Sequence, residues 1–190
     1  MSTRGAIARP TPDGRWRGRY HHFGAYPAGL GRELFGLYHH TFGRDHEQMT
    51  RVLIDEHPAG WSSLIARNLG SRAFTGEDFA RVGFQAFDDP HHGMIPQCYC
   101  HGQRSERTPM LVCRYDISPT ESPCDQLFIE WAYAITSEGL RVFASVYPET
   151  PGQVYRHRLI TEVAWNRTIA PDWERIEQRS HPVYIPELTI

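Results

Sequence analysis

A chain of 190 residues, with 40% hydrophobic and 22% charged residues, is long enough to bury one sizeable core and has the composition of a globular protein. No apolar run approaches the roughly 20 residues that a membrane-spanning helix needs, and the N-terminal segment lacks the apolar centre of a signal peptide. We therefore expect one soluble, cytoplasmic domain over residues 1–190 that does not associate with membranes.

Arginine is the only basic residue type, because all 20 Lys+Arg positions are arginine. The lack of lysine excludes Schiff-base chemistry and a P-loop lysine, and arginine favours forked recognition of carboxylates or phosphates. The net charge of −2 is unevenly distributed. Residues 1–44 hold seven arginines and two acidic residues, whereas the remainder of the chain holds thirteen arginines and twenty acidic residues. A basic N-terminal third indicates a small anionic ligand there, whereas the excess is too small for a dedicated nucleic-acid-binding protein.

Two strands joined by a turn are predicted at the start of the chain. The segments TRGAIAR (3–9) and WRGRYHHF (16–23) have a strand-forming composition, and PTPDG between them supplies proline, aspartate and glycine for a turn. Strand alternation places His22 on the face of the aromatic residues and His21 on the face of the arginines. We expect His22 to face a pocket or the core and His21 to face solvent or the rim of the pocket.

A helix is predicted from Pro27, a residue favoured in the first helical turn, to Gly43. Its apolar stripe consists of Leu30, Leu34, Leu37, Tyr38 and Phe42. His39 lies opposite this stripe and His40 lies at its flank, so we expect both histidines to be exposed. Replacement of His39 is then expected to be tolerated.

A second helix is predicted over residues 46–56, where Asp45 begins a capping-box pattern. The helix stops before Pro58, because proline cannot continue it. Residues 58–107 show no regular pattern apart from a short helix near 76–82.

The last third of the chain has the pattern of an antiparallel sheet. Three alternating segments and a short helical segment are predicted: LFIEWAYAIT (127–136), LRVFASVY (140–147), QVYRHRLITEVAW (153–165) and PDWERIEQR (171–179). Glu130 lies between apolar neighbours, and we expect it to form an ion pair with Arg141 across the turn. The whole pattern predicts an α+β fold, a mainly antiparallel sheet with an N-terminal hairpin and helices packed on one side.

The densest group of metal-ligand residue types lies in DDPHHGMIPQCYCHG, residues 88–102. Thiolates and imidazoles together suit Zn²⁺, which takes four such ligands in a tetrahedron. We predict a zinc site formed by Cys98, Cys100, His101 and His92, with the neighbouring histidine of the doublet as the substitute for His92. The alternative is a polar loop with two buried thiols, since cysteine is often buried for packing alone.

A second candidate site lies where the predicted hairpin meets the first helix. Arg4 lies on the strand that pairs with that of His22, and Tyr26 precedes a helix start, where backbone N–H groups attract anions. Arg4 would clamp a carboxylate or phosphate, His22 would act as acid or base, and Tyr26 would be a second proton donor. The alternative is a core histidine at position 22 and a tyrosine that only shapes the turn.

The motifs TRG, RYHHFGAYPAGLG and PQCYCHG resemble those of a set of small uncharacterised proteins of actinobacteria and their phages. The usual pattern in that set is TRG, then Y-x-H-W/F-x-x-YP-x-x-LG, then C-Y-C-H-G, and the resemblance covers roughly residues 1–105. Phe23 and Gly24 stand where many of these proteins have Trp-Asp. The resemblance implies an actinobacterial or phage host and no particular reaction, cofactor or catalytic residue.

The residues together predict binding of a small carboxylate or phosphate ligand near the N-terminal hairpin, and they leave open whether the protein also transforms this ligand as an enzyme. Two alternatives stay open. The first is a zinc-stabilised interaction protein without catalysis. The second is a weak nucleic-acid accessory factor, whose binding would fall steeply with salt.

Overall fold

The described strands form one mixed sheet of eight strands. The computed structural model of the chain describes residues 3–12, 15–64, 75, 76, 79, 96–100, 111–114, 129–146 and 156–179. The strands are β1 (Gly5–Pro10), β2 (Arg15–His21), β3 (Trp61–Ser63), β4 (Gln97–Cys98), β5 (Leu111–Arg114), β6 (Trp131–Ile135), β7 (Gly139–Val146) and β8 (Arg156–Ala164). Their order is β4-β3-β2-β1-β6-β7-β8, and β5 also pairs with β2.

The N-terminal hairpin is confirmed, with β1 and β2 antiparallel from Gly5 opposite His21 to Pro10 opposite Trp16. A parallel pairing of β1 with β6 joins this hairpin to the antiparallel strands β6, β7 and β8. The other parallel pairing is that of β2 with β3, and the remaining pairings are antiparallel. The predicted α+β class with a mainly antiparallel sheet is therefore correct.

Short helices connect and cover the sheet. They are α1 (Arg32–His40), which follows a π-helical turn at Pro27–Gly31, α2 (His46–Thr50), which continues as a π-helical turn over Arg51–Asp55, and α3 (Trp173–Gln178). Asp45 caps α2 as predicted, because its Oδ1 accepts a hydrogen bond from the backbone N–H of Gln48 at 2.9 Å. None of the helices in the described ranges combines the length and the apolar character needed to cross a bilayer.

Most of the helix predicted near 76–82 lies outside the described residues. Gly76 and Phe79 have helical backbone, and the N–H of Phe79 donates to the carbonyl of Thr75 at 3.1 Å, the spacing of an α-helical turn. The described part is thus consistent with a helical turn at this place.

The two faces of the sheet form separate clusters. The face that the helices cover contributes Ile7, Trp131, Tyr133, Leu140, Val142 and Val163 to the main core, together with Leu30, Leu34, Met49 and Leu53 from the helical segments. The opposite face carries Ala6, Ala8, Trp16, Ala132, Ala134 and Phe143. No helical residue of the described chain belongs to the second cluster, so the described helices pack on one side of the sheet, as predicted.

The face of β2 that the helices cover is the one that the sequence analysis assigned to solvent. His21 is only 1% exposed and Arg19 only 4% exposed, whereas His22 is half-buried. The reason lies in the π-helical turn that continues α2, where the carbonyl of Ile54 accepts a hydrogen bond from Nε of Arg19. Because a helix end needs donors for its last carbonyls, it lies over the arginine-bearing face. The expectation of an exposed His21 is wrong.

The histidine pair at the end of α1 divides in a similar way. His40 is exposed, as expected, whereas His39 is half-buried. The ring of His39 lies 4.5 Å from that of Phe35 and 5.0 Å from that of Tyr38, measured between centroids. These aromatic neighbours cover a residue that the helical pattern alone placed in solvent, so that expectation is also wrong.

Glu130 and Arg141 do not form the predicted ion pair. The register places Arg141 opposite Ala134 on β6 and opposite Glu162 on β8, and its Nε donates to Oε2 of Glu162 at 2.8 Å. Glu130 lies before β6, where its Oε1 accepts a hydrogen bond from the backbone N–H of Arg4 at 3.4 Å. The carboxylate therefore ties the start of β6 to the start of β1.

Candidate metal centre

Three ligand-type side chains meet beside the short strands β3 and β4. One ligand atom from each of His57, Cys98 and Cys100 lies within 4.8 Å of the other two. His57 and Cys98 are fully buried, and Cys100 is half-buried. A zinc ion with Zn–S bonds of about 2.3 Å and Zn–N bonds of about 2.0 Å keeps its ligands at separations of this size. We call these three residues the metal cluster.

A tight turn places His57 at the cluster. Pro58 stops the helical segment that follows α2, and the N–H of Gly60 donates to the carbonyl of His57 at 3.1 Å. Gly60 has a φ of +82°, and a Cβ there would meet the carbonyl oxygen of Tyr20 at 2.6 Å. Only glycine suits this position. The turn thus leads directly from the helix end into β3.

Strand pairing and a sulfur hydrogen bond hold the cysteines against this turn. Cys98 lies opposite Trp61 in the antiparallel pair of β3 and β4. The carbonyl of Gly60 accepts from the N–H of Tyr99 at 3.0 Å. The N–H of Ala59 lies 3.3 Å from Sγ of Cys100, 41 positions away in the sequence. Two distant segments are therefore fastened together at the cluster.

The ring of His57 is oriented by a backbone acceptor. Its Nε2 lies 2.9 Å from the carbonyl oxygen of Phe79. Because a carbonyl only accepts, Nε2 carries the proton, which leaves Nδ1 with its lone pair as the ligand atom. Metal-bound histidines usually donate their second N–H to such an acceptor, which fixes the ring orientation. The ring also contacts Trp61, with centroids 4.3 Å apart.

The surroundings of Cys100 favour its thiolate. Hydrogen bonds with the side chain of Cys98 and with the N–H of Ala59 lower the pKa of Cys100 to about 4, although burial acts in the opposite direction. The thiolate is the form that binds metal ions. A half-buried thiolate next to a second cysteine and an oriented imidazole is a set of donors suited to a thiophilic cation.

The structure brings together two of the four predicted zinc ligands and adds one that the sequence analysis missed. Cys98 and Cys100 meet as expected, whereas His92 and His101 lie outside the described residues. His57 is a single histidine far from the cysteines in the sequence, and no local pattern marks it as a ligand. The one relevant signal is the His-Pro pair that ends a helical segment. This pair indicates a turn, but it does not indicate which residues lie next to His57 in the folded protein.

The predicted anion site near the hairpin is only partly assembled by the described contacts. Nδ1 of His22 lies 2.7 Å from the hydroxyl of Tyr20, and Nε of Arg4 is buried without a hydrogen-bond partner in the described part of the chain. Tyr26 is 39% exposed, and no contact of the described residues joins its side chain to His22 or Arg4. The tyrosine that contacts His22 is therefore Tyr20.

Comparison of the chain with protein-family models, with curated proteins and with solved structures gave no match. Two arrangements of described side chains have the chemistry of a ligand site: the metal cluster, and the pair of Tyr20 and His22 beside Arg4.

Proposed function

We propose that this protein is a zinc-stabilised domain that binds one ion through His57, Cys98 and Cys100. The observation that carries the proposal is the convergence of three soft or borderline ligand atoms, all within 4.8 Å of one another, in the interior of the fold. Two thiolates and one imidazole favour Zn²⁺ over the hard cations Mg²⁺ and Ca²⁺, which prefer oxygen ligands. The ion would hold the end of the second helical segment against β3 and β4.

Several details of the site support a structural ion. The donor of Ala59 to Sγ of Cys100 satisfies a sulfur that carries negative charge, and the acceptor at Nε2 of His57 aims Nδ1 at the cluster. We propose His101 as the fourth ligand, because it directly follows Cys100 in the sequence. His92, six residues before Cys98, is the other candidate. Four protein ligands would leave no open position and so no metal-based catalysis.

The test is elemental analysis of protein purified without added metal, with His57→Gln, Cys98→Ser and Cys100→Ser as variants. We expect one zinc ion per wild-type chain and loss of most of the metal in each variant. His40→Gln is the matched control, because His40 is exposed and lies outside the cluster. Wild-type protein that folds without any bound transition metal would overturn the proposal.

A second measurement separates a structural ion from an adventitious one. Urea unfolding with and without a strong chelator should show a lower free energy of unfolding after metal removal. The expected loss is about 4 kcal/mol if free zinc exceeds its dissociation constant about a thousandfold. Unfolding curves that coincide with and without the chelator would contradict a stabilising role.

We propose as a second candidate that a small carboxylate or phosphate binds beside the hairpin. The supporting observation is the buried Nε of Arg4, which has no hydrogen-bond partner in the described chain and lies near the pair of Tyr20 and His22. The positive charge of Arg4 acts to lower the pKa of Tyr20, although burial raises that pKa overall. An anion would satisfy Arg4, and His22 would exchange a proton with it.

This second candidate is tested by titrating inorganic phosphate and acetate into Arg4→Gln protein. Loss of a hydrogen bond to a charged group should weaken binding at least about tenfold. Arg17→Gln on the same hairpin is the matched control, since Arg17 is exposed. Equal affinities for wild type and Arg4→Gln would exclude the hairpin as the anion site.

A further inference from the structure

A cleft of about 710 Å³ lies between α1 and the segment that connects β8 to α3, away from the metal cluster. Its volume is in the range of small-molecule sites. The cations among its lining residues are Arg32, Arg44 and Arg167, and none of the described lining residues is acidic. We call this feature the α1 cleft.

Two of the three arginines are available to a ligand. Arg32 forms an exposed ion pair with Glu174. The side chains of Arg44 and Arg167 have no ion pair or hydrogen bond in the described part of the chain and are exposed. Like-charged groups that stay unpaired at one cleft attract an anion, because its oxygens can accept from both guanidinium groups.

The backbone at Arg44 is held in an unusual conformation. Its φ is +69°, in the left-handed region that residues other than glycine adopt at an energetic cost. The N–H of Arg44 donates to the carbonyl of Tyr38 at 2.8 Å, which satisfies one of the last carbonyls of α1. Glycine would suit this position better, because it adopts this conformation without strain.

One wall of the α1 cleft is apolar and rigid. Phe35 lies 6.0 Å from both Trp165 and Trp173, measured between ring centroids. Nε1 of Trp165 donates to the carbonyl of Thr136 at 2.8 Å, which fixes the indole. Nε2 of His39, which also lines the cleft, is buried without a hydrogen-bond partner in the described chain. The wall is therefore apolar and closely packed, and Phe35, at 9%, is its most exposed aromatic ring.

Gly36 lines the same cleft in the middle of α1. A Cβ at Gly36 would meet nothing within 4 Å, so packing of the protein does not require glycine there. Glycine inside a helix is less stable than alanine, and the residue thus weakens α1 without a structural benefit. The space over the helix backbone is room for a bound molecule.

We infer that the α1 cleft binds a small organic anion, in which a carboxylate or phosphate is attached to an apolar ring. The anionic group contacts Arg44 and Arg167. The ring lies over Gly36 and against the wall formed by Phe35 and Trp173. This site is distinct from the metal cluster and from the hairpin, and it needs no metal ion.

The test is isothermal titration calorimetry on the protein as purified, with phenyl phosphate, benzoate, inorganic phosphate and phenol as probes. We expect phenyl phosphate or benzoate to bind at least about tenfold more tightly than both inorganic phosphate and phenol, because charge and ring both contribute. The stronger of the two probes identifies the anionic group. Equal affinities for that probe and inorganic phosphate would overturn the inference.

Variants locate the binding site. Arg44→Gln and Arg167→Gln should each weaken binding of the stronger probe at least about tenfold. Arg17→Gln is the matched arginine control and should leave the affinity unchanged, because Arg17 is exposed and lies outside both proposed anion sites. If Arg4→Gln alone weakens binding, the probe occupies the hairpin and the inference fails.

Gly36→Leu tests the space over α1 without removing a charge. Leucine forms helix better than glycine, and the open space around position 36 accepts its side chain, so the variant should fold with a higher melting temperature. We expect it to lose at least about tenfold in affinity for the stronger probe, because the side chain fills the cleft. Unchanged affinity of the folded variant for the stronger probe would overturn the inference. The inference would also fail if the wild-type protein bound a single-stranded oligonucleotide tightly through Arg44 and did not bind the small probes.

Discussion

The two faces of β2 place similar residues in different surroundings. On the side of the helices, Arg19 and His21 are almost completely buried in the main core. On the opposite side, Tyr20 and His22 are half-buried and hydrogen-bonded to each other at 2.7 Å. Alternation along a strand sorts residues into two sets, but the element that lies over the strand decides which set is inside.

Polar residues occupy the inner set because a helix end lies above them. The last carbonyls of a helix have no partner within the helix and need donors from elsewhere. Nε of Arg19 donates to the carbonyl of Ile54, and Nε1 of Trp61 donates to that of Leu53 at 2.8 Å. Neither ring nitrogen of His21 has a hydrogen-bond partner within the described chain. The two buried polar side chains of the inner face thus differ, since Arg19 donates a hydrogen bond and His21 has no partner within the described chain.

Arg19→Met should give the largest loss of stability on β2. The substitution retains the buried aliphatic part and removes the donor to Ile54, which leaves a buried carbonyl unsatisfied at the helix end. We expect the free energy of unfolding, measured with urea, to fall by about 2–4 kcal/mol. Arg17→Met on the same face is the matched control and should change stability by no more than about 0.5 kcal/mol, because Arg17 is exposed. Similar losses in both variants would mean that burial does not distinguish the two arginines.

His21→Leu should change how stability depends on pH. Burial, and to a smaller extent the neighbouring His22, lower the pKa of His21 from 6.5 to about 3. Between these pH values the unfolded chain binds a proton that the folded chain excludes, so acidification favours unfolding. In the wild type, this histidine lowers the free energy of unfolding by about 1.4 kcal/mol for each pH unit of acidification. His21→Leu lacks this contribution, so its stability should fall less steeply as the pH falls.

The control for His21→Leu is His40→Leu, because His40 is exposed on α1. This variant should keep the acid sensitivity of the wild type over the same range. Urea unfolding at several pH values between about 4 and 7 covers the relevant window. An unchanged acid sensitivity in His21→Leu would show that this histidine is protonated in the folded protein.

Local patterns in the sequence predicted the elements of the fold well. PTPDG marked the hairpin, Asp45 the start of α2, and the alternating segments of the last third the antiparallel strands. The parallel pairing of β1 with β6 left no local signal, because the two strands are distant in the sequence. The covered face of β2 was likewise unpredictable, since it depends on where the π-helical turn after α2 lies.

The metal cluster shows the same limit. Cys98 and Cys100 are close in the sequence, so the density of ligand residues identified them. His57 reaches them only through the turn before β3 and the pairing of β3 with β4. Ligands contributed by one loop can be recognised in a sequence, whereas a ligand contributed by the fold requires the topology.

Glu33→Gln tests a partly buried acid on the helical side of the sheet. Its effect on the pH dependence of stability should be opposite in sign to that of His21. Burial raises the pKa of Glu33 to about 7 from 4.5. Between these values the folded chain holds a proton that the unfolded chain has lost, so stability falls as the pH rises. At pH 8 the variant should be more stable than the wild type by about 1–2 kcal/mol, and the difference should vanish at acidic pH. Glu47→Gln, an exposed acid in the first turn of α2, should show no such dependence.

The smallest effect is expected on the outer face of β2. Tyr20→Phe removes the hydroxyl that lies 2.7 Å from Nδ1 of His22 and retains the ring that packs against the second cluster. A half-buried hydrogen bond contributes about 0.5–1.5 kcal/mol, so the free energy of unfolding should fall by about 1 kcal/mol in urea at pH 7. Tyr26→Phe is the matched control and should change stability by less than about 0.5 kcal/mol, because no described contact involves its hydroxyl. A larger loss of stability in Tyr26→Phe than in Tyr20→Phe would mean that Tyr26, and not Tyr20, is the partner of His22. The outer face would then contain the pair of His22 and Tyr26 that the sequence analysis predicted.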